Sequence, residues 1–288
     1  MLQRQLGNIT INRILESEEP NFDPLAFFPQ TSPDDWGQHR QWLQPHPLSP
    51  ALGYLTLTMQ SYLLRTQHHT ILVDTCVGDH KKRQGAYTPP GWNHTTGGVL
   101  LKSLAAAGVH PEEIDYVMCT HLHSDHVGWN TRLGVPTFPN AKYIMSRREL
   151  NHWQAIHLQR PLEQLTDSIL PVLESGQAVL VTNDYALDDE VWLESTPGHT
   201  PDHFSVCIAS HGNSAVITGD MMHSPVQCMK PHWVSRFDSD PVVASQTRLA
   251  FLERHCDART LICGTHFPSP SFGHIAPGAD GFQFAYQT

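Results

Sequence analysis

The sequence contains no long apolar run. No stretch approaches the roughly 18 consecutive apolar residues that a membrane-spanning helix needs, so we expect no membrane partner. The first twenty residues, MLQRQLGNITINRILESEEP, also lack the apolar core of roughly 7–15 residues that marks a secretory signal. They alternate polar and apolar residues, which predicts a first β-strand. On this basis we expect the protein to be cytoplasmic.

Positive charge is scarce as well. The chain has 18 Lys and Arg against 28 Asp and Glu, a net charge of −10 with histidine neutral, and its largest basic block is Lys81-Lys82-Arg83. A protein that binds phosphate backbones needs clustered positive charge. We therefore expect no nucleic-acid partner and favour a small-molecule substrate.

Paired cysteines and a serine-hydrolase turn are both missing. The six cysteines include no Cys-x-x-Cys pair, so neither a cysteine-rich zinc site nor a disulfide framework is indicated. We interpret them as free thiols that pack as small hydrophobic side chains. The segment Thr218-Gly219-Asp220-Met221 contains no serine, so it is not the Gly-x-Ser-x-Gly turn of serine hydrolases.

The composition that is present supports a folded core. With 40% hydrophobic and 16% charged residues in 288, we expect a single domain over residues 1–288. Residues 20–50 form a proline- and aromatic-rich N-terminal arm whose seven prolines we expect to prevent long helices. Phe27 and Phe28 in this arm would cover either the chain's own core or a second copy in a homodimer.

Apolar periodicity predicts strands first, then helices alternating with strands. Thr95 or Thr96 is expected to cap a helix whose apolar face runs from Val99 to Ala105. Strands are expected at residues 53–59, 61–64, 70–75, 116–119, 178–182, 191–194, 204–209, 215–218 and 260–263, and helices at 147–160, 162–173 and 241–255. This order predicts an α/β fold, an αββα sandwich of two mixed β-sheets flanked by helices.

Histidine is abundant, with twenty residues, and one segment concentrates it. His121-Leu122-His123-Ser124-Asp125-His126 directly follows the predicted strand 116–119. Imidazole nitrogens and carboxylate oxygens are ligands of divalent metals, and a turn after a strand can aim several of them at one point. We expect His121 and His123 to face one ion, and Asp125 and His126 to face a second.

Four further segments extend the pattern. Asp74 ends an apolar strand, His199 lies in Thr196-Pro197-Gly198-His199-Thr200, Asp220 ends Thr218-Gly219-Asp220, and His266 follows Gly264-Thr265. Together with the histidine segment, they resemble the metallo-β-lactamase superfamily over about Leu55 to Pro268. The resemblance implies an αββα sandwich with a dinuclear metal site along one edge of its two sheets.

The resemblance also implies a role for each residue. His121, His123 and His199 would hold one metal, Asp125, His126 and His266 would hold the other, and Asp220 would bridge them. Two divalent ions per chain are expected, with zinc favoured and manganese, iron or cobalt left open. The implied nucleophile is a metal-bridging hydroxide. Asp125 and Asp220 are the implied catalytic residues, and Asp74 would orient a ligand histidine without touching metal. His223 is a third catalytic candidate: it would either donate a hydrogen bond or proton near the leaving group or be an ordinary supporting histidine.

Within this family the residues narrow the substrate class. His123 stands where flavodiiron proteins have glutamate, Asp220 stands where common zinc β-lactamases have cysteine, and about twenty residues after Pro268 leave no room for the C-terminal domain of glyoxalase II. Many homoserine-lactone lactonases have tyrosine three residues after the bridging aspartate, where this chain has His223. Residues 219–227 look more like the methyl parathion hydrolase branch.

We therefore expect hydrolysis of an ester-type bond in a lactone, aryl ester or phosphotriester. The alternatives are an N-acyl homoserine lactone lactonase, then a β-lactamase or thioesterase, and, in a different class, a non-catalytic protein that uses its metals as a structural clip. Structural zinc sites are usually closed and often cysteine-rich, which favours catalysis here. Aromatic residues are expected either to line an apolar substrate pocket or to pack in the core; they are Phe28, Trp92, Trp129 and Trp233.

Overall fold

The computed structural model describes residues 2–43, 46–83, 90–279 and 281–287. The strands in this part of the chain are β1 (Gln3–Leu6), β2 (Ile9–Phe22), β3 (Leu55–Arg65), β4 (Thr70–Val73), β5 (Tyr116–Met118), β6 (Thr131–Arg132), β7 (Val135–Pro136), β8 (Lys142–Ser146), β9 (Ala178–Val181), β10 (Val191–Ser195), β11 (Phe204–Ser210), β12 (Asn213–Ile217), β13 (Leu261–Cys263), β14 (Phe272–Gly278) and β15 (Gly281–Tyr286). The α-helices are α1 (Pro24–Phe27), α2 (Pro33–Leu43), α3 (Val99–Ala106), α4 (Arg147–Gln159), α5 (Leu170–Glu174), α6 (Val226–Met229) and α7 (Pro241–His255). Among these described residues, no helix combines the length and apolar character needed to cross a membrane.

Two mixed sheets form the framework. The seven-stranded sheet has the order β1-β2-β3-β4-β5-β8-β9, and β4, β5, β8 and β9 run parallel to one another. The six-stranded sheet has the order β10 to β15, and its single parallel pair among the described strands is β12 with β13. β6 and β7 form a separate small hairpin. The predicted fold class, two mixed sheets with flanking helices, is confirmed.

By its internal contacts the chain divides into two compact units. Unit 1 consists of Met1–Glu16 and Met59–Tyr185, and unit 2 of Ser17–Thr58 and Ala186–Thr288. The core of unit 1 includes Trp129, whose ring is fully buried and whose Nε1 donates to the Glu16 carboxylate at 2.6 Å. Trp129 is therefore a core residue rather than part of a substrate pocket.

In unit 2 the N-terminal arm forms more helix than the proline count predicts. α2 runs for eleven residues, because Pro33 stands at its first position, where a missing N–H costs nothing, and no other proline occurs within it. Phe27 and Phe28 are buried and their rings lie 4.9 Å apart. Both rings pack on other residues of the same unit, so they give no support to a homodimer.

Side chains cap the N-termini of helices α4 and α7, whereas helix α3 has no side-chain cap. The Ser146 hydroxyl caps α4 by accepting from the Glu149 N–H, and Asp240 caps α7 by accepting from two N–H groups. The predicted threonine cap of α3 is wrong. Gly98, with φ of 60°, occupies that position, and the Thr95 hydroxyl instead donates to the Gly78 carbonyl at 3.0 Å.

Candidate metal centre

In unit 1, the ends of two parallel strands bring Asp74 beside the histidine-rich turn. β4 and β5 pair in parallel, so their carboxyl ends lie at the same sheet edge. Asp74 follows β4, and residues 119–126 follow β5. The Asp74 N–H donates to the Met118 carbonyl at 2.9 Å, which ties the two strand ends together.

The turn itself gathers the four predicted ligands of this unit. The ring of His121 lies 4.6 Å from that of His123 and 4.0 Å from that of His126. The Asp125 carboxylate lies 3.8 Å from His126 Nε2. His121 and His126 are buried, whereas His123 and Asp125 are partly exposed. The segment therefore presents two buried and two more open donors from one loop.

Asp74 orients two of these histidines. Its carboxylate lies 2.9 Å from His126 Nδ1 and accepts from the Thr120 N–H and hydroxyl. Because the Thr120 hydroxyl donates to Asp74, it accepts from His121 Nδ1, which lies 3.1 Å away. A neutral imidazole with N–H at Nδ1 has its lone pair at Nε2. Asp74 therefore prepares the Nε2 atoms of both histidines to bind a cation.

A buried arginine that the sequence did not single out braces the same turn. One Arg83 nitrogen donates to the Ser124 carbonyl at 2.8 Å, inside the His-x-His-x-Asp-His segment. The same guanidinium makes a forked pair with the Asp167 carboxylate at 3.0 and 2.9 Å. Arg83 and Asp167 are 84 positions apart in the chain, so no local pattern could reveal the pair.

Unit 2 carries the remaining predicted ligands. β12 and β13 pair in parallel, so Asp220 and His266, which follow them, lie at one sheet edge. Three imidazole Nε2 atoms surround the Asp220 carboxylate: those of His199 and His223 at 3.2 Å and that of His266 at 3.0 Å. The structure thus brings His199, Asp220, His223 and His266 together.

The outer nitrogens of two of these rings are already engaged. His199 Nδ1 lies 2.8 Å from an Asp238 oxygen, and His266 Nδ1 lies 2.8 Å from the Thr58 carbonyl. Both partners accept hydrogen bonds, so Nδ1 carries a proton in each ring and Nε2 is the nitrogen that faces the Asp220 carboxylate. Lone pairs facing a carboxylate at this distance require a cation or a proton between them. This donor set fits a divalent metal.

The pKa values in unit 2 reflect the same electrostatics. Burial lowers the pKa of His199, but the neighbouring Asp220 and Asp238 carboxylates outweigh it and raise the pKa to about 9. For His223 the desolvation caused by burial dominates, and its pKa is lowered despite Asp220. His223 is therefore neutral at pH 7, and its ring contacts Phe27 edge-on at 5.3 Å.

Two supporting residues in unit 2 carry no motif in the sequence. Burial raises the pKa of Asp238, which lies behind His199, but the hydrogen bond to that ring and the electrostatic interactions with His199, His223 and Arg248 together lower it below its usual value. His203 is fully buried, and its Nε2 accepts from the Asp220 N–H at 2.9 Å. Nothing in the sequence distinguished His203 from a surface histidine.

Asp74→Asn should weaken metal binding. An amide accepts fewer hydrogen bonds than a carboxylate, so it cannot hold both Thr120 and His126 in place. We expect the affinity for Zn²⁺, measured by competition with a chromophoric chelator, to fall about 10–100-fold. Asp115→Asn is the matched control, because Asp115 accepts from Thr70 N–H at the opposite end of the same strand pair. Equal Zn²⁺ affinity in the two variants would rule out the orienting role.

Comparison with known proteins identifies chains similar to this one. The family model described as metallo-beta-lactamase superfamily matches residues 59–266. An N-acyl homoserine lactonase from Bacillus sp. is 31% identical over 206 residues, which cover 68% of this chain and 76% of that protein. The N-acyl homoserine lactonase of Bacillus cereus is 29% identical over the same coverage.

Two solved structures are also similar to this chain. The hydrolase AbOPH, described as a member of the beta lactamase superfamily, superposes with a TM-score of 0.82 at 25% identity, covering 99% of this chain and 97% of its own. AidC, described as a dizinc quorum-quenching lactonase in complex with a product, N-hexanoyl-L-homoserine, superposes with a TM-score of 0.79 at 22% identity, covering 100% and 97%.

Proposed function

Because this chain belongs to the metallo-β-lactamase superfamily and is a metal-dependent hydrolase, we propose that it opens lactones, and that N-acyl homoserine lactones are its preferred substrate class. The similarity to Bacillus N-acyl homoserine lactonases over 68% of the chain supports the lactone over the other ester-type substrates. We further propose that residues 1–288 act as one catalytic domain, because both compact units supply predicted ligands.

The proposed centre takes its ligands as the family resemblance implies. His121, His123 and His199 hold one cation, Asp125, His126 and His266 hold the second, and Asp220 bridges them. Zinc is the proposed metal, since imidazole and carboxylate ligands suit it and a structural neighbour is described as dizinc. Two such ions, when bound, would acidify water and polarise the carbonyl oxygen of the substrate.

The observation that carries this proposal is the set of imidazoles around Asp220. The outer nitrogens of His199 and His266 are occupied by acceptors, and their inner nitrogens face a buried carboxylate. A structural clip is usually closed by four ligands and is often cysteine-rich, whereas the donors here are histidines and carboxylates, two of which, His123 and Asp125, remain partly exposed.

The chain's own residues supply substrate positioning. His223 is neutral, its backbone N–H donates to Gln227 at 2.7 Å, and its ring lies beside Asp220. We propose that a ring N–H of His223 donates a hydrogen bond to the substrate's leaving oxygen. Phe27 covers the His223 ring, and Phe237 lies 5.6 Å from Phe27. These rings pack against one another and against His223.

The test is a substrate panel on full-length protein whose metal content has been measured. N-acyl homoserine lactones of increasing acyl length, a simple γ-lactone, an aryl ester, a phosphotriester and a cephalosporin are compared by kcat/KM. The proposal expects the acyl homoserine lactones to rank first. A higher kcat/KM for the phosphotriester or the aryl ester would show that the protein is a phosphotriesterase or an arylesterase instead. Metal-loaded protein with no turnover of any substrate would indicate that the metals form a structural clip.

His223→Phe should separate catalysis from metal binding. Phenylalanine keeps the ring against Phe27 but removes the hydrogen-bond donor, so we expect kcat on the best lactone to fall about 10²-fold while zinc stoichiometry stays near that of the wild type. The exposed His232 provides the control as His232→Phe. Parallel loss of zinc and activity in His223→Phe would instead assign His223 a purely structural role.

A further inference from the structure

One fully buried arginine on α7 reaches the backbone that carries the ligands of unit 2. Arg248 is 0% exposed, and its Nε donates to the carbonyl of Met221, the residue after Asp220, at 3.0 Å. One of its terminal nitrogens donates to the carbonyls of Pro231 and Trp233 at 2.7 and 3.0 Å. The planar guanidinium makes three bonds in fixed directions, so it sets the positions of these carbonyls relative to α7.

The same guanidinium also faces the carboxylate behind His199. The other terminal nitrogen of Arg248 lies 3.7 Å from one Asp238 oxygen, which also accepts from the Ser235 N–H at 2.9 Å. The second Asp238 oxygen lies 2.8 Å from His199 Nδ1. A single side chain is thus connected to the backbone next to Asp220 and, through Asp238, to the ring of His199.

The loop that carries His199 rests on the same helix. A Cβ added at Gly198 would lie 2.2 Å from the Ala244 nitrogen, so that glycine allows the loop to touch the α7 backbone. The Thr247 hydroxyl donates to the Pro197 carbonyl at 2.8 Å. α7 therefore supports the His199 loop directly as well as through Arg248 and Asp238.

We propose that Arg248 and Asp238 are positioning residues that together set the placement of His199 Nε2 relative to Asp220. This inference rests on the proposed function only because it takes His199 and Asp220 as metal ligands. Asp238 accepts the Nδ1–H of His199 and keeps its Nε2 lone pair directed inward. Arg248 balances the charge of that buried carboxylate and fixes its location. Burying a charged pair is costly, and here the guanidinium is stabilised by three hydrogen bonds to backbone carbonyls, one of which belongs to Met221, next to Asp220.

The experiment measures Zn²⁺ affinity on chelator-stripped, full-length protein by competition with a chromophoric chelator, alongside the melting temperature of the stripped protein. Arg248→Met and Asp238→Asn are each expected to weaken Zn²⁺ binding about 10–100-fold, the range seen when a group behind a ligand is removed. Arg248→Lys keeps the charge without the fork and should fall between wild type and Arg248→Met. Arg254→Met is the control, since Arg254 lies exposed on the same helix and pairs with Glu194.

The double variant tests whether the effects of Arg248 and Asp238 on Zn²⁺ binding depend on each other. If Arg248 acts through Asp238, Asp238→Asn should weaken Zn²⁺ binding less when it is added to Arg248→Met than when it is made in the wild-type protein. Unchanged Zn²⁺ affinity in Arg248→Met would overturn the proposal, as would fully additive losses. Where Arg248→Met does not fold, Arg248→Lys and Asp238→Asn decide by the same criteria. Wild-type protein that binds Zn²⁺ without hydrolysing lactones would refute the proposed function and leave this proposal standing.

Discussion

Replacing both His121 and His123 with alanine is expected to abolish hydrolysis of the best lactone. Both side chains are proposed ligands of the same cation, and their rings lie 4.6 Å apart on one turn, so no neighbouring group can replace them. We expect kcat/KM to fall by more than about 10³-fold, beyond the 10²–10³-fold cost of losing a single stabilising donor. Kinetics and metal analysis on the same preparation would show both losses together.

His68→Ala with His69→Ala is the matched control, because it also removes two histidines from a short loop, in the turn between β3 and β4. The control should retain wild-type turnover and metal content. If the His121 and His123 variant kept its activity with unchanged metal content, the metal-dependent mechanism proposed for these residues would be wrong.

Asp220→Asn is expected to have the second largest effect. Asparagine has nearly the same shape but no charge, and its amide group cannot bind two cations as a carboxylate does. Three imidazole nitrogens lie within 3.2 Å of this carboxylate, so its loss affects every ligand around it. We expect metal content to fall from two ions to one or fewer, and turnover to fall by at least about 10²–10³-fold.

Asp257→Asn provides the control for this charge change. Asp257 is exposed and has φ of 57°, a conformation that asparagine tolerates well, so stability and activity should remain close to wild type. If metal analysis found two ions in Asp220→Asn, the proposed bridging role of Asp220 would be wrong, whatever the activity of the variant.

Much of the fold could be anticipated because local patterns determine it. Helix α7 was expected at residues 241–255 and begins and ends there, because an aspartate cap, a proline at the first position and a polar break at the end are all local signals. Strands β11 and β12 were likewise expected, at residues 204–209 and 215–218. These elements depend on neighbouring residues alone.

Other elements were missed where the deciding contacts are distant. The predicted first strand is a hairpin of β1 and β2 that turns at Gly7 and Asn8, and the two strands predicted at 53–64 form the single strand β3. β8, β14 and β15 were not predicted. β8 pairs with β5 and β9, and β14 pairs with β13 and β15, so their strand conformation depends on partners supplied by the sheet rather than on their own alternation.

The candidate metal ligands could be named from the sequence, because their chemistry is intrinsic. Imidazole and carboxylate groups bind divalent cations whatever surrounds them, and four of them in six residues are conspicuous even in an unfolded chain. The same reasoning applied to Asp74, His199, Asp220 and His266 once their order matched a known family. Membership of that family is confirmed.

Apart from Asp74, the residues that support those candidate ligands became visible only in the tertiary structure. Asp238 is 39 positions from His199, and Arg248 is 27 positions from Met221. An aspartate or arginine is ordinarily a solvated surface residue, and only burial beside a particular nitrogen or carbonyl gives it a different role. The candidate ligands were thus named from side-chain chemistry, which the sequence states directly, whereas Asp238 and Arg248 gain their supporting contacts through distances that exist only after the chain has folded.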